Sequence, residues 1–176
     1  AEAALRALEG TAFASMSHLA LLGIYERSRD WPQAALMADK LAQAGQGSFK
    51  ARQAHYLSEQ AQALNNPEQW PQAQALLQQA LSLVPHNVRA SLALAQGLHR
   101  HGQAAPALDL LLQLAQAQPQ ALPLIAAPLA QWAPALGQVA KVRDLLQKAC
   151  DQSPSLDVLN ALAELVAIDA PASVPA

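Results

Sequence analysis

A single cysteine, Cys150, serves the whole 176-residue chain. One thiol forms no internal disulfide and builds no zinc site alone, which removes disulfide scaffolds and cysteine-based metal folds from consideration. Cys150 reads as a small apolar residue near a helix end, and its isolation is compatible with a reducing compartment. Aromatic residues make up only 4% of the chain, and runs of Val, Ile, Thr or aromatics that would read as strands are few. Charge is scarce as well: 14% of residues are charged, the net charge is −2 and the isoelectric point is about 6.2. A nucleic-acid partner, which needs a basic patch, is not expected. No apolar run reaches the roughly 18 residues of a membrane span, so this chain is not expected to insert into a bilayer. No signal peptide is visible. Residue 1 is Ala rather than Met, so the chain is expected to be an excised or processed piece, and missing targeting segments say little about its parent.

What the chain does have is helix-forming apolar residues. Apolar types reach 52%, mostly Ala and Leu with Gln between them, and all three favour helix. The fold class this predicts is all-α. Prolines then supply a ruler. Pro85 and Pro119 lie 34 residues apart, and Pro154 follows 35 residues later. Each stands just past an apolar helical segment, where proline ends a helix. A period of 34 is that of the tetratricopeptide repeat, a helix–turn–helix unit.

Repeats beginning at Ser15, Ala54, Val88 and Pro123 bring similar residues into register. Position 8 is Leu22, Ala61, Ala95 and Ala130; position 20 is Ala34, Ala73, Ala107 and Val142; position 27 is Leu41, Ala80, Leu114 and Ala149. Small residues at these points let two antiparallel helices approach closely. Larger ones at position 24, such as Leu77, Leu111 and Leu146, fill the space between neighbouring pairs. One pair cannot bury its apolar face alone, but a stack can. Trp31-Pro32-Gln33-Ala34 recurs as Trp70-Pro71-Gln72-Ala73. The proline in each falls in a first helical turn, where a missing N–H costs little. The two tetrapeptides are 39 residues apart, and the surplus over 34 fits a turn-rich link, Gly45-Gln46-Gly47-Ser48-Phe49.

The predicted architecture is a right-handed solenoid of tetratricopeptide helix pairs over residues 1–170. It comprises a partial repeat at 1–10, repeats at about 15–48, 54–87, 88–122 and 123–154, a terminal helix at 155–168 and a frayed tail at 170–176. Helices are predicted at 12–28, 31–44, 50–65, 69–83, 87–101, 104–117, 121–135, 138–152 and 155–168, with residues 2–9 as the tail of an earlier helix. Pro128 lies inside the seventh and should kink it. The last helix, with Leu156, Leu159, Leu162 and Leu165 at threefold spacing, would cover the open end of the stack.

No catalytic set emerges. His99 and His101 are two residues apart, and i and i+2 point to different sides of a helix, so neither a metal site nor a cofactor is expected. No phosphate loop or nucleophile elbow is present, and the chain is not expected to be an enzyme. Trp31, Trp70 and Trp132 read as packing residues before stacking platforms. The remaining candidate is the face that the first helix of each repeat turns inward, at positions 2, 5, 9, 12 and 13. Its middle is polar, with amides and arginines able to hold a peptide backbone or a carboxylate. Gln62, Asn65, Arg89, Gln96 and Arg100, with His55, His99 and Gln131, form the predicted groove for a protein or peptide partner.

Several stretches carry a closer likeness. Leu21-Leu22-Gly23-Ile24-Tyr25-Glu26, Asp30-Trp31-Pro32-Gln33-Ala34, Ala38-Asp39-Lys40-Leu41, Ala54-His55-Tyr56 and Asn87-Val88-Arg89-Ala90-Ser91 resemble, in order, the lipopolysaccharide assembly protein B family. The likeness covers roughly residues 15–168. It implies the central region of a regulatory adaptor that brings the deacetylase of lipid A synthesis to the membrane-bound protease FtsH. That family has an N-terminal membrane anchor and a C-terminal rubredoxin-like metal knuckle. Neither is found in this sequence, so metal binding does not carry over. The resemblance places the protein in the cytoplasm, at the inner face of the inner membrane if its parent is anchored. Two other functions are compatible with the repeats: a chaperone-like module of a periplasmic assembly system, serving cytochrome c maturation or pili, and an accessory region attached to a glycosyltransferase.

Overall fold

The computed structural model describes residues 2–45, 49–64 and 66–169. Among these residues helices alternate with short turns and there is no strand. The helices are α1 (Glu2–Arg6), α2 (Ala14–Ser28), α3 (Trp31–Gln43), α4 (Phe49–Ala63), α5 (Trp70–Leu83), α6 (Val88–Arg100), α7 (Ala104–Ala117), α8 (Leu122–Trp132), α9 (Val139–Gln152) and α10 (Leu156–Asp169). None is long and apolar enough to cross a membrane. The residues cluster into two compact units, Ala1–Leu94 and Ala95–Ala176, divided within α6. In the first, α1 packs on α2, α2 on α3, α3 on α4 and α4 on α5. In the second, α7 packs on α8, α8 on α9, and α10 on both α8 and α9. Contact between sequence neighbours joined by short links is the signature of antiparallel helix pairs in a repeat array. The fold is a tetratricopeptide solenoid.

The repeat positions are buried as their sizes require. Ala34, Ala80, Ala95 and Ala107 are wholly buried, as are Leu41, Leu111 and Leu146. Val142 and Leu114, larger than the pattern prefers, are buried too. The turn between the two helices of a repeat is also shared. Asp30, Gln103 and Gln138 each donate the main-chain N–H to a carbonyl five residues back, Tyr25, Leu98 and Ala133 respectively, at 2.9 Å. This is the Schellman closure, which needs a left-handed residue just before the donor. Gly102 (φ 77°) and Gly137 (φ 64°) supply it in two repeats, whereas Arg29 (φ 56°) supplies it in the first. Side-chain caps and prolines mark some of the helix starts. The Asp30 carboxylate accepts from the Gln33 N–H at 3.3 Å, with Pro32 in the first turn. At α6 the Asn87 side chain accepts from the Ala90 N–H at 3.0 Å.

Several boundaries differ from those predicted. The segment 121–135 is divided: single turns of 3₁₀ helix, Pro119–Ala121 and Pro134–Leu136, flank a shorter α8. Pro134 withdraws an N–H from the ladder at the point where the α-helix stops. Pro128 lies within α8, which continues past it. A further 3₁₀ turn, Pro67–Gln69, precedes α5. The first helix is α1 alone, with residues 7–9 in turns. On α10 the threefold leucine spacing does not form one stripe. Leu165 is buried, with Val158 and Ala161, while Leu156 and Leu159 are 73% and 46% exposed. Steps of three fall short of the 3.6-residue turn, so the four leucines wind from solvent into the core. The link residues 46–48, Asn65 and the tail 170–176 lie outside the described residues.

Candidate functional site

The predicted groove residues fall in both units, so each group stands by itself. In the first unit a polar cluster links successive first helices. The Tyr56 hydroxyl on α4 donates to the Glu26 carboxylate on α2 and accepts from Arg52 Nε at 3.1 Å. Arg52 also pairs with Glu26 at 2.7 Å. Tyr56 is buried, and its ring stacks on Trp31 with centroids 6.2 Å apart. Burial and then the hydrogen bond to Glu26 push its phenol up to about 12. Burial works against ionisation of Glu26, but hydrogen bonds from Tyr56 and Arg52 outweigh it and hold that carboxyl below its ordinary range. A similar trio stands one repeat earlier, where Tyr25 donates to Glu2 at 2.7 Å and accepts from Arg6 at 2.9 Å.

Glu59, which is not among the predicted groove residues, organises the next layer. Its Oε1 lies 2.6 Å from the Arg89 guanidinium and 4.0 Å from His55 Nδ1. The guanidinium approaches off the hydrogen-bonding direction, so the contact is an ion pair rather than a directed bond. His55 also meets Trp31 edge-on at 6.3 Å. His55 and Arg89 therefore converge on an acid of the chain itself. Its spacing was the available signal: Glu59 is four residues after His55 and shares its helix face. Gln62 is exposed on the last turn of α4. The predicted Asn65 lies outside the described residues.

In the second unit Gln96, His99 and Arg100 of α6 line a pocket of about 300 Å³ with Trp132 of α8. The His99 imidazole lies flat on the Trp132 indole, with centroids 4.4 Å apart and planes 9° from parallel. Trp132 is largely buried and supplies the floor. It packs, as the sequence suggested, but against a groove residue, so it belongs to this site. Arg100 Nε reaches the Gln96 carbonyl one turn back at 3.4 Å, and among the described residues no carboxylate pairs with it. Gln131 is exposed beside Trp132 in the chain. The described residues hold no group of three or more His, Cys, Asp or Glu side chains placed to bind a metal ion. What these surfaces offer is amide, imidazole and guanidinium donors on a rigid helical frame, suited to holding a polypeptide.

Comparison with known proteins agrees with the repeat geometry. A tetratricopeptide-repeat family model matches residues 67–131. Over 154 residues the chain is 31% identical to lipopolysaccharide assembly protein B of Haemophilus influenzae; the match takes in 88% of this chain and 39% of that protein. The chain thus spans about two fifths of the length of this relative. Among solved structures it resembles MamA, residues 41 to the end, from Desulfovibrio magneticus RS-1, with a TM-score of 0.52, 19% identity, and 88% and 85% of the two chains covered. It also resembles YrrB, a tetratricopeptide protein described as having an unusual peptide-binding site, with a TM-score of 0.50, 20% identity, and 88% and 77% covered. At these identities the two structures speak for the fold alone.

Proposed function

We propose that this tetratricopeptide-repeat region, similar in sequence to lipopolysaccharide assembly protein B, is a non-catalytic docking segment of a regulator of lipopolysaccharide synthesis. Repeat arrays of this kind hold protein or peptide partners on faces that need no catalytic group. The finer reading is an adaptor that couples the deacetylase of lipid A synthesis to the protease FtsH, working in the cytoplasm at the inner face of the inner membrane. The observation that carries it is the identity to that relative across 88% of the chain. The exposed polar residues on the first helices, His55, Gln62, Arg89, Gln96, Arg100 and Gln131, with the part-buried His99, are the proposed contact set.

Affinity purification of the full-length protein from its own cells, followed by immunodetection, tests this. Recovery of both the deacetylase and FtsH is the expected result. Recovery of neither, at expression levels where the bait is abundant, counts against the coupling reading.

A further inference from the structure

We propose that the pocket formed by Gln96, His99, Arg100 and Trp132 takes the acidic side chain, aspartate or glutamate, of a bound polypeptide, with Arg100 as its counter-ion. This rests on the docking reading above and adds the chemistry of what is docked. The chain itself shows the pattern. Arg52 on α4 finds its acid, Glu26, on the preceding first helix at 2.7 Å. Arg89 on α6 finds Glu59, again on the preceding first helix, at 2.6 Å. Among the described residues Arg100 has no such acid. The helix it meets across the pocket, α8, reads Leu-Pro-Leu-Ile-Ala-Ala-Pro-Leu-Ala-Gln-Trp and has no charged residue. A guanidinium without a carboxylate presents a planar, two-pronged donor that matches one geometrically.

The surroundings strengthen such a contact. The stacked His99 and Trp132 rings make an apolar wall beside Arg100. An ion pair formed against that wall is less screened than one in open water. At about 300 Å³ the pocket is at the small end for ligand sites, the scale of a side chain rather than a folded element. The carboxylate comes from a side chain rather than a chain terminus. Termini are caught in nests of free backbone N–H groups, and the four lining residues lie inside α6 and α8, where helical hydrogen bonds occupy those groups.

NMR titration of the 176-residue chain with short peptides tests this, reading the Trp132 indole N–H. Three probes are used: acetyl-Ala-Leu-Glu-Leu-Ala-amide, the same peptide with Gln for Glu, and the Gln peptide with a free C-terminal carboxylate. The expected result is a saturable shift with the Glu peptide, weakened by at least about tenfold for both Gln peptides and in Arg100→Gln, and weakened again as salt rises. Arg100 is exposed, so Arg100→Gln should keep its far-UV spectrum and melting temperature. Equal affinity for the Glu and Gln peptides, preference for the free terminus, full affinity in Arg100→Gln, or no saturable shift with any probe overturns the proposal. Partner recovery separates this from the docking reading: equal capture by wild type and Arg100→Gln removes Arg100 from the interface and sinks the proposal while the scaffold stands.

Discussion

Replacing Tyr56 by Phe removes one oxygen that does two jobs: it donates to Glu26 and accepts from Arg52. The ring is buried and stays stacked on Trp31, so the change is nearly pure loss of the hydroxyl. A hydrogen bond to a charged group contributes about 1.5–3 kcal/mol. Glu26 and Arg52 keep their own contact, and their side chains are 34% and 42% exposed, so water replaces part of what is lost. The expected cost is therefore about 1–2 kcal/mol. Urea unfolding followed by circular dichroism, with Trp31 fluorescence as the local probe, measures it. A double-mutant cycle with Glu26→Gln should return a coupling of about 1 kcal/mol. The pH dependence carries a sign. The Tyr56 phenol is raised in the folded chain to about 12, so the native state holds its proton longer than the unfolded state. The stability this contributes is complete below about pH 10 and is lost as pH rises through about 12. Tyr56→Phe should lose that segment of alkaline sensitivity. A cost below about 0.3 kcal/mol, or a coupling near zero, would refute the claim that the trio ties α2 to α4.

Two further predictions concern the repeat geometry. Arg29→Gly should stabilise the first unit by about 0.5–1 kcal/mol, because it relieves a left-handed residue at a net gain over the added unfolded-state entropy. Gly102→Ala, at φ 77°, should destabilise by about 1–2 kcal/mol; chemical denaturation reads both, and a destabilising Arg29→Gly or a neutral Gly102→Ala would show that the left-handed position does not carry the same strain in the two Schellman turns. Leu111→Ala, at a wholly buried site, should cost about 2–5 kcal/mol in the same assay, and a cost under about 1 kcal/mol would mean the position is not a packed seam.

The array was legible because its signals are local and periodic. Pro85, Pro119 and Pro154 mark helix ends, and Ala34, Ala73 and Ala107 repeat at the contact points. Helix α7 could be placed to the residue, 104–117. What stayed hidden depends on three-dimensional register. Arg29 occupies a turn that glycine marks elsewhere, so composition gave no hint of its left-handed backbone. The leucines of α10 were counted by threes, although a helix face advances by alternating threes and fours. Within the candidate site, amides and arginines were visible as types, but their partners were not. Glu59 and Arg89 are 30 residues apart in sequence and 2.6 Å apart in space. No local pattern distinguishes the arginine that is neutralised from Arg100, which has no carboxylate partner among the described residues. Trp132 was read as packing, and its role under His99 needed the fold to bring α8 against α6.

Site-specific photo-crosslinking of the full-length protein in its own cells tests the docking account most directly. A photoreactive residue replaces Gln96 or Gln131, on first helices, or Gln72 or Gln79, on the exposed face of α5. The account predicts partner adducts from Gln96 and Gln131 and none from Gln72 and Gln79. Adducts confined to the α5 positions, or spread evenly over all four, would contradict it.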